Sequence, residues 1–440
     1  MNLSWSCPAR TILGLGGLEP WLRAGSPQSV PVTSATVLAD PAVVGLPILR
    51  RLREVLQRSG VRHEMLTVDG PGDLEAATLL ADRLAPVYLP GIDSGHAVIG
   101  VGGGSLLDQL KIAAVLQANP GAAARLELPQ RSGLILLEDL EHRLPLVAIP
   151  STLGTGAEAS SSACLSHGDG KRLLIGDILR PDAAVLDPMA TRSLPHHLVA
   201  EGVLEPLFRL TSLYIADHRG LPTEDALTVA LAERLIRLGD ELTGARAIEN
   251  EAESDDLRLE LAKISALSHA AWLSLGRNRY SARGWYIANE LSTALGVRKM
   301  TAVAVLLPSL WSEIAAGQDI LGSADRLSAM WPMLRAASSR DLPADPIAGI
   351  AALLDAWSIG RHVSPTREQV ERTARRSIAA WGAGLPMLGR LRSRDVRRIL
   401  DRAVRPVDRP TADPFPPDPS MDVGARRHRG LENNDYLVRR

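Results

Sequence analysis

The sequence predicts an α/β unit followed by an all-helical unit, on three observations. Over the first 190 residues, short β-rich runs alternate with helical patterns, the signature of a parallel sheet with crossover helices. After "DPMATRSLP" the strand signals vanish, and from about residue 195 to 405 only helical periodicity remains. From "RPVDRPTADPFPPDPS" onward the chain is rich in Pro, Asp and Arg, which suits an extended tail with little core of its own. The expected division is therefore 1–190 α/β, 191–405 helical and 406–440 tail.

Each element follows from its local pattern. "SATVLADP" is an apolar run closed by a turn signal; "LPILRRLREVLQRSGVRHEML" is an amphipathic helix, a Gly stop and a second strand. "HAVIGVGGGS" runs from a strand into a glycine turn, and "LLDQLKIAAVLQA" is the helix after it. "PLVAIPST" and "PDAAVLDP" are two further strands. In the second unit, "LTVALAERLIRLGDEL", "DDLRLELAKISALSHAAWLSLG", "IAGIAALLDAWSIG" and "SRDVRRILDRAV" all repeat at helical spacing.

Composition excludes several function classes. A formal net charge of -1 over 440 residues gives no basic field for nucleic acid or an acidic membrane. Aromatics at 3% leave no base-stacking platform. The 2 cysteines, Cys7 and Cys164, make neither a disulfide framework nor a zinc ribbon. No apolar run reaches ~18 uncharged residues, and "MNLSWSCPAR" has no signal-peptide pattern. A cytoplasmic protein and a homo-oligomer are expected.

The chemistry starts at "GVGGGSLLDQLK". Gly102, Gly103 and Gly104 follow a strand, and Ser105 is expected to cap the next helix. Bare glycines let a ligand approach the backbone, and a helix N-terminus offers free N–H groups to a pyrophosphate. The usual dinucleotide fingerprint is incomplete, since Ser105 replaces its last glycine. Asp108 and Lys111 share a helix face and read either as polar groups aimed into the cleft above this turn or as an exposed ion pair. In "AIPSTLGTGAEAS", Ser151, Thr152 and Thr155 crowd hydroxyls past a strand, where they can hold phosphate or ribose oxygens.

In this order and spacing, over roughly residues 7–405, the chain resembles the iron-containing (group III) alcohol dehydrogenases, which share a superfold with the dehydroquinate synthases. The family's "GGGSxxDxxK" is similar to Gly102–Lys111, its "PTTxGTGSE" to "PSTLGTGAE", and its "TDP" to "ADP" at Asp40. The resemblance implies an α/β dinucleotide-binding domain and an all-α catalytic domain. It implies a dinucleotide held by Gly102, Gly103, Gly104, Ser105, Asp108, Lys111, Ser151, Thr152, Thr155 and Lys171. Asp40, placed to bond a ribose hydroxyl and repel a 2′-phosphate, favours NAD over NADP; it also reads as a plain turn acid before Pro41.

The family holds a divalent metal with one Asp and three His. Here Glu205 and Arg209 stand in "EPLFR" where "DALxH" is expected, and Asn289 and Lys299 stand where the remaining histidines are expected. Arg cannot ligate and Lys rarely does, so no catalytic metal is expected. His196, His197, His218 and His269 are the histidines that could substitute as ligands, although His269 reads as a helical core or surface residue. A metal-free dehydrogenase would use Arg209 and Lys299 to stabilise an oxyanion or grip a substrate carboxylate, with Glu205 and Asn289 completing the pocket and neutral Lys299 as the candidate proton acceptor. In outline the chain resembles the dehydrogenase-like oxidative decarboxylases of daptide-type ribosomal peptide biosynthesis. That implies a peptide substrate, oxidised and decarboxylated at a C-terminal Thr, and biosynthetic partner proteins. A small-molecule alcohol or polyol dehydrogenase with displaced metal ligands, and a non-catalytic partner in a biosynthetic complex, remain open alternatives.

Overall fold

The computed structural model describes residues 10–25, 30–69, 72–84, 95–119, 121–128, 132–140, 143–167, 170–244, 251–278 and 280–404. Cys7 and the tail expected at 406–440 lie outside the described residues.

The α/β part contains strands β1 (Arg10–Leu13), β2 (Ser34–Ala39), β3 (Arg62–Thr67), β4 (His96–Gly102), β5 (Leu134–Leu136), β6 (Leu146–Pro150), β7 (Ser162–His167), β8 (Gly170–Ile175) and β9 (Ala183–Leu186). Its helices are α1 (Leu18–Ala24), α2 (Pro47–Arg58), α3 (Leu74–Leu84), α4 (Gly104–Ala118) and α5 (Ala122–Glu127). The main sheet has six strands in the order β1-β9-β6-β4-β2-β3, every pair parallel. Its middle strands are buried throughout, as strands covered on both faces must be. One face packs on Trp21, Ile48, Leu52 and Leu56 of α1 and α2; the other packs on Ala77, Leu80, Leu110 and Ala114 of α3 and α4.

This order sets the position of a cleft. From β2 the chain moves outward to β3, and from β4 it moves the other way to β6. The carboxyl ends of β2 and β4 therefore flank the point where the winding reverses, which is where ligands bind in open α/β sheets. Asp40 follows β2 and the glycine turn follows β4.

A second sheet of three strands, β5-β8-β7, was not expected from the sequence. β7 and β8 form an antiparallel hairpin in which Cys164 faces Leu173 and Ser166 faces Lys171. Helix α4 lies between the two sheets, touching β4, β6 and β7, and is buried nearly all round.

From His196 onward the described residues are helical: α6 (His196–Ile215), α7 (Pro222–Thr243), α8 (Glu251–Leu267), α9 (Ala271–Ser274), α10 (Arg283–Leu295), α11 (Lys299–Ala315), α12 (Ala324–Ala337), α13 (Pro346–Ala356), α14 (Arg367–Trp381) and α15 (Ser393–Ala403). They share one core built around the fully buried indoles of Trp331, Trp357 and Trp381. The indole N–H groups donate to Pro343 O, Asp240 Oδ1 and Glu290 Oε1, so none is left unsatisfied.

Two local expectations are corrected. "DDLRLELAKISALSHAAWLSLG" is broken: α8 ends at Leu267, and His269 lies in the turn before α9 rather than within a helix. Ser268 Oγ donates to Ser265 O at 2.6 Å, a back-bond that competes with the helical pattern. Ser105 does not cap α4. Gly103 is the capping residue, and Ser105 sits exposed inside the first turn.

Candidate active site

Two loops meet above the sheet. Ser151 N–H donates to Gly102 O at 2.9 Å, which ties the start of the "STLGTGAE" loop to the end of β4. A Cβ on Gly102 would lie 3.2 Å from the Cβ of Asp40; one on Gly103 would lie 3.2 Å from Thr152 Cγ2, and one on Gly104 would lie 3.2 Å from Thr155 Cβ. The glycines thus keep Asp40, Thr152 and Thr155 packed against the start of α4. In that helix the first regular bond runs from Leu107 N–H to Gly103 O, so the amides of residues 104–106 have no upstream carbonyl within it. Thr152 Oγ1 is buried with no hydrogen-bond partner among the described residues. A glycine cradle, unpaired helix amides and an orphaned hydroxyl fit a dinucleotide pyrophosphate. Asp40 Oδ1 accepts the Ala42 N–H at 2.9 Å, so the turn role is real and leaves its second oxygen for a ribose hydroxyl.

Asp108 and Lys111 do not form the exposed pair that was the other reading, and the Lys111 ammonium is turned into the interior rather than into the cleft. Lys111 is fully buried; its ammonium donates to Ser160 O (3.2 Å), Ser160 Oγ (3.0 Å) and Ser162 O (3.0 Å) and lies 3.6 Å from Asp108 Oδ1. Asp108 Oδ2 accepts the Cys164 N–H at 2.9 Å. Burial pushes the Asp108 carboxyl up and the Lys111 ammonium down. Together they tie α4 to Ser160, just past the "STLGTGAE" loop, and to β7. Lys171, on β8, is also largely buried; burial first, and Lys299 among its neighbours, lower its affinity for a proton.

The second cluster gathers from the helical part. Arg209 and Glu205 are one turn apart on α6 and pair at 3.5 Å. Arg209 Nη1 donates to Ser268 Oγ at 2.7 Å and Nη2 to Thr155 O at 3.3 Å, so this guanidinium joins α6 to the α8–α9 turn and to the Ser151–Glu158 loop. Across from it, Lys299 is the first residue of α11, and its Nζ stands 4.2 Å from the centroid of the Trp285 ring. Arg209 also lies over Trp285, at 5.6 Å, and Phe208 stacks on the same indole at 5.3 Å. Asn289 is one turn past Trp285 on α10, so the two share a face. Asn289 is 3% exposed, and its Oδ1 has no hydrogen-bond partner among the described residues. The structure therefore brings Glu205, Arg209 and Lys299 around one indole, with Asn289 on the next turn.

The sequence reading missed two participants. Trp285 was not singled out among the aromatics of the helical part. Glu158, in the same loop as Thr152 and Thr155, is 2% exposed and faces Lys111, Arg209 and Glu205. Burial lifts its carboxyl from an ordinary value of 4.5 to about 7, despite those cations. His269 is a third functional neighbour: it is buried, its Nε2 bonds Thr155 O at 3.1 Å, and burial followed by Arg209 holds it well below an ordinary imidazole, hence neutral.

Glu158 makes stability depend on pH. Its folded-state value lies above its unfolded one, so its contribution is complete below pH ~4.5 and is lost as pH rises through about 7. Glu158→Gln removes that loss. Between pH 4.5 and 8 the stability of the variant relative to wild type should rise by ~3 kcal/mol, read from denaturant melts at each pH.

The four positions where the resemblance implied metal ligands hold Glu205, Arg209, Asn289 and Lys299. A guanidinium bonded to the carboxylate and an ammonium opposite supply positive charge where a divalent ion would need lone pairs. Among the described residues, no group of three or more His, Cys, Asp or Glu side chains gathers where it could hold a metal ion. His269, the histidine nearest the cluster, has its Nε2 on Thr155 O. This donor set does not fit the metal.

The comparisons with known proteins agree with the layout. A family model described as iron-containing alcohol dehydrogenase matches residues 25–188. Long-chain-alcohol dehydrogenase 1 of Geobacillus thermodenitrificans is 29% identical over 272 residues; the match covers 62% of this chain and spans only 64% of that relative's length. Phosphonoacetaldehyde reductase of Streptomyces viridochromogenes is 29% identical over 277 residues, 59% of this chain and 67% of its own. NADH-dependent butanol dehydrogenase A of Thermotoga maritima shares the fold, with a TM-score of 0.74 at 16% identity over 92% of this chain and 99% of that one. No described helix is long and apolar enough to cross a membrane. The sequence match centred on the α/β part and the fold match over nearly the whole chain point the same way: residues 25–188 are similar to the iron-containing alcohol dehydrogenases, and the chain as a whole shares the fold of the butanol dehydrogenase.

Proposed function

We propose that the protein is an NAD-dependent dehydrogenase that oxidises a secondary alcohol next to a carboxylate without a catalytic metal. We further propose that its substrate is the C-terminal Thr of a ribosomally made peptide, which leaves as a ketone after losing carbon dioxide. The observation that carries this reading is the contrast between the two cations. Arg209 is already committed to Glu205, Ser268 and Thr155. Lys299 lies over the Trp285 ring with no carboxylate within 4.0 Å of its Nζ among the described residues. A half-buried ammonium with no carboxylate in ion-pair contact favours a ligand that brings one. The phosphonoacetaldehyde reductase among the relatives is named for an aldehyde that bears an acidic group, which supports an anionic substrate.

Gly102–Gly104 and Ser151–Thr155 would hold a nicotinamide dinucleotide, which when bound would supply the hydride acceptor for oxidation of the carbon that bears the hydroxyl. Glu158 accepts the hydroxyl proton, since a carboxyl at about 7 can be a base at neutral pH. Lys299 and Arg209 stabilise the oxygen as it becomes a carbonyl. The resulting β-keto acid breaks its bond to the carboxylate, and the electron pair moves into an enolate whose oxygen meets the same cations. A proton returned to the carbon gives the ketone. Acid anion and NAD become ketone, carbon dioxide and NADH. Buried Asn289 Oδ1 can accept the N–H of the substrate's own amide.

The test is chelator-treated protein incubated with NAD and a peptide ending in Thr. The expected result is NADH together with a product that has lost one carbon dioxide and two hydrogens. A stoichiometric iron or zinc that activity requires overturns the metal-free reading. Failure to bind NAD in a calorimetric titration overturns the enzyme reading and leaves a non-catalytic partner.

A further inference from the structure

A cavity of about 20 Å³ lies inside the helical part, lined by Phe208 and Ser212 of α6, Ser281, Arg283 and Gly284 at the start of α10, and the apolar side chains of α11. Two of its polar atoms lack partners. Ser281 is 1% exposed, and neither its Oγ nor Arg283 Nε has a hydrogen-bond partner among the described residues. Gly284 stands in the first turn of a 13-residue helix, so its N–H has no carbonyl upstream within that helix. The acid nearest Arg283 in charge is Asp319, and it is held by Arg390 at 3.0 and 2.9 Å. The rest of the wall is apolar: Ile215, Leu307, Leu310, Trp311, Ile314 and Leu321.

We propose that this cavity binds a single small anion, chloride by size and chemistry. The volume suits one water-sized occupant. The polar lining is a cation, a helix-end amide and hydroxyls that can donate, with no Asp or Glu among the lining residues. Water would leave the buried guanidinium edge without a counter-charge; an anion supplies it. Anion binding here does not depend on the substrate assignment. It bears on the active site because Phe208, one wall of the cavity, stacks on Trp285, and Gly284 precedes that indole in the chain. An occupant fixes the start of α10 and with it the ring that carries Lys299.

The test uses the full-length protein in gluconate buffer, titrated with sodium chloride at constant ionic strength. The melting temperature should rise by about 1–3 °C, as for a ligand that binds only the folded state. The rise should disappear in Ser281→Ala and in Arg283→Gln. Crystals grown with bromide should show an anomalous peak between Ser281 Oγ and Arg283 Nε. A rise that persists in both variants, or an ordered water at that point with no bromide, overturns the proposal. If either variant does not fold, the bromide experiment on the wild-type protein decides.

Discussion

Lys299→Ala should lower kcat by roughly 10²–10³-fold while dinucleotide affinity stays within about twofold. The separation follows from the geometry. The proposed nucleotide cradle is built by the glycine turn and the Thr152–Thr155 loop, whereas Lys299 lies on the Trp285 ring. Lys299 instead contacts the Trp285 face, where cation–π attraction is worth ~1 kcal/mol and holds the ammonium in place before substrate arrives. Preorganised charge of this kind acts mainly on the transition state, so the loss should fall on kcat more than on KM. Arg209→Ala should be less clean. It removes donors from Ser268 and Thr155 and leaves Glu205 without its partner, so turnover and stability should fall together. Stopped assays, NAD titration and melts on both variants check the pattern. Wild-type turnover in Lys299→Ala sinks the assigned role.

How much of this was legible in the sequence depends on which physical signal each part left. The β4 strand and glycine turn could be read because an apolar run, three bare glycines and a helix are a local pattern. The clustering of Arg209, Glu205 and Lys299 could be read only through the resemblance, since residues ~90 positions apart leave no periodic trace of their meeting. Trp285 could not be read: an aromatic on an amphipathic helix announces burial, not the cations on its face. Glu158 was hidden because a carboxylate among small residues declares neither its burial nor the charges it will face. Lys111 misled for a related reason. Spacing places it on a face of α4, but the small β5-β8-β7 sheet that turns that face into interior is itself made of short, polar-interrupted strands. Ser268 and His269 broke their helix through a side-chain-to-backbone bond that competes with periodicity without disturbing it.

The cradle and the cation cluster work only if the loop from Ser151 to Glu158 lies hard against α6, and two glycines make that contact possible. Gly154 adopts φ +91°, and a Cβ there would stand 2.4 Å from Gly202 O and 2.8 Å from Gly202 Cα. A Cβ on Gly202 would in turn stand 2.7 Å from Leu153 Cβ. Gly154→Ala should therefore destabilise the protein by ~3 kcal/mol, the sum of left-handed strain and a backbone clash that no side chain can relieve. Gly317 separates the two effects. It has nearly the same φ, +89°, with nothing within 4 Å of the place a methyl would occupy, so Gly317→Ala carries the strain alone and should cost ~1 kcal/mol. The excess at Gly154 measures the close packing. Because the shift would move Thr152 and Thr155 together with the carbonyl that Arg209 and His269 share, Gly154→Ala should lose dinucleotide affinity and turnover together, the opposite of Lys299→Ala. Equal destabilisation at Gly154 and Gly317, or unchanged NAD binding in Gly154→Ala, would show that the loop can withdraw from α6 without disturbing the site.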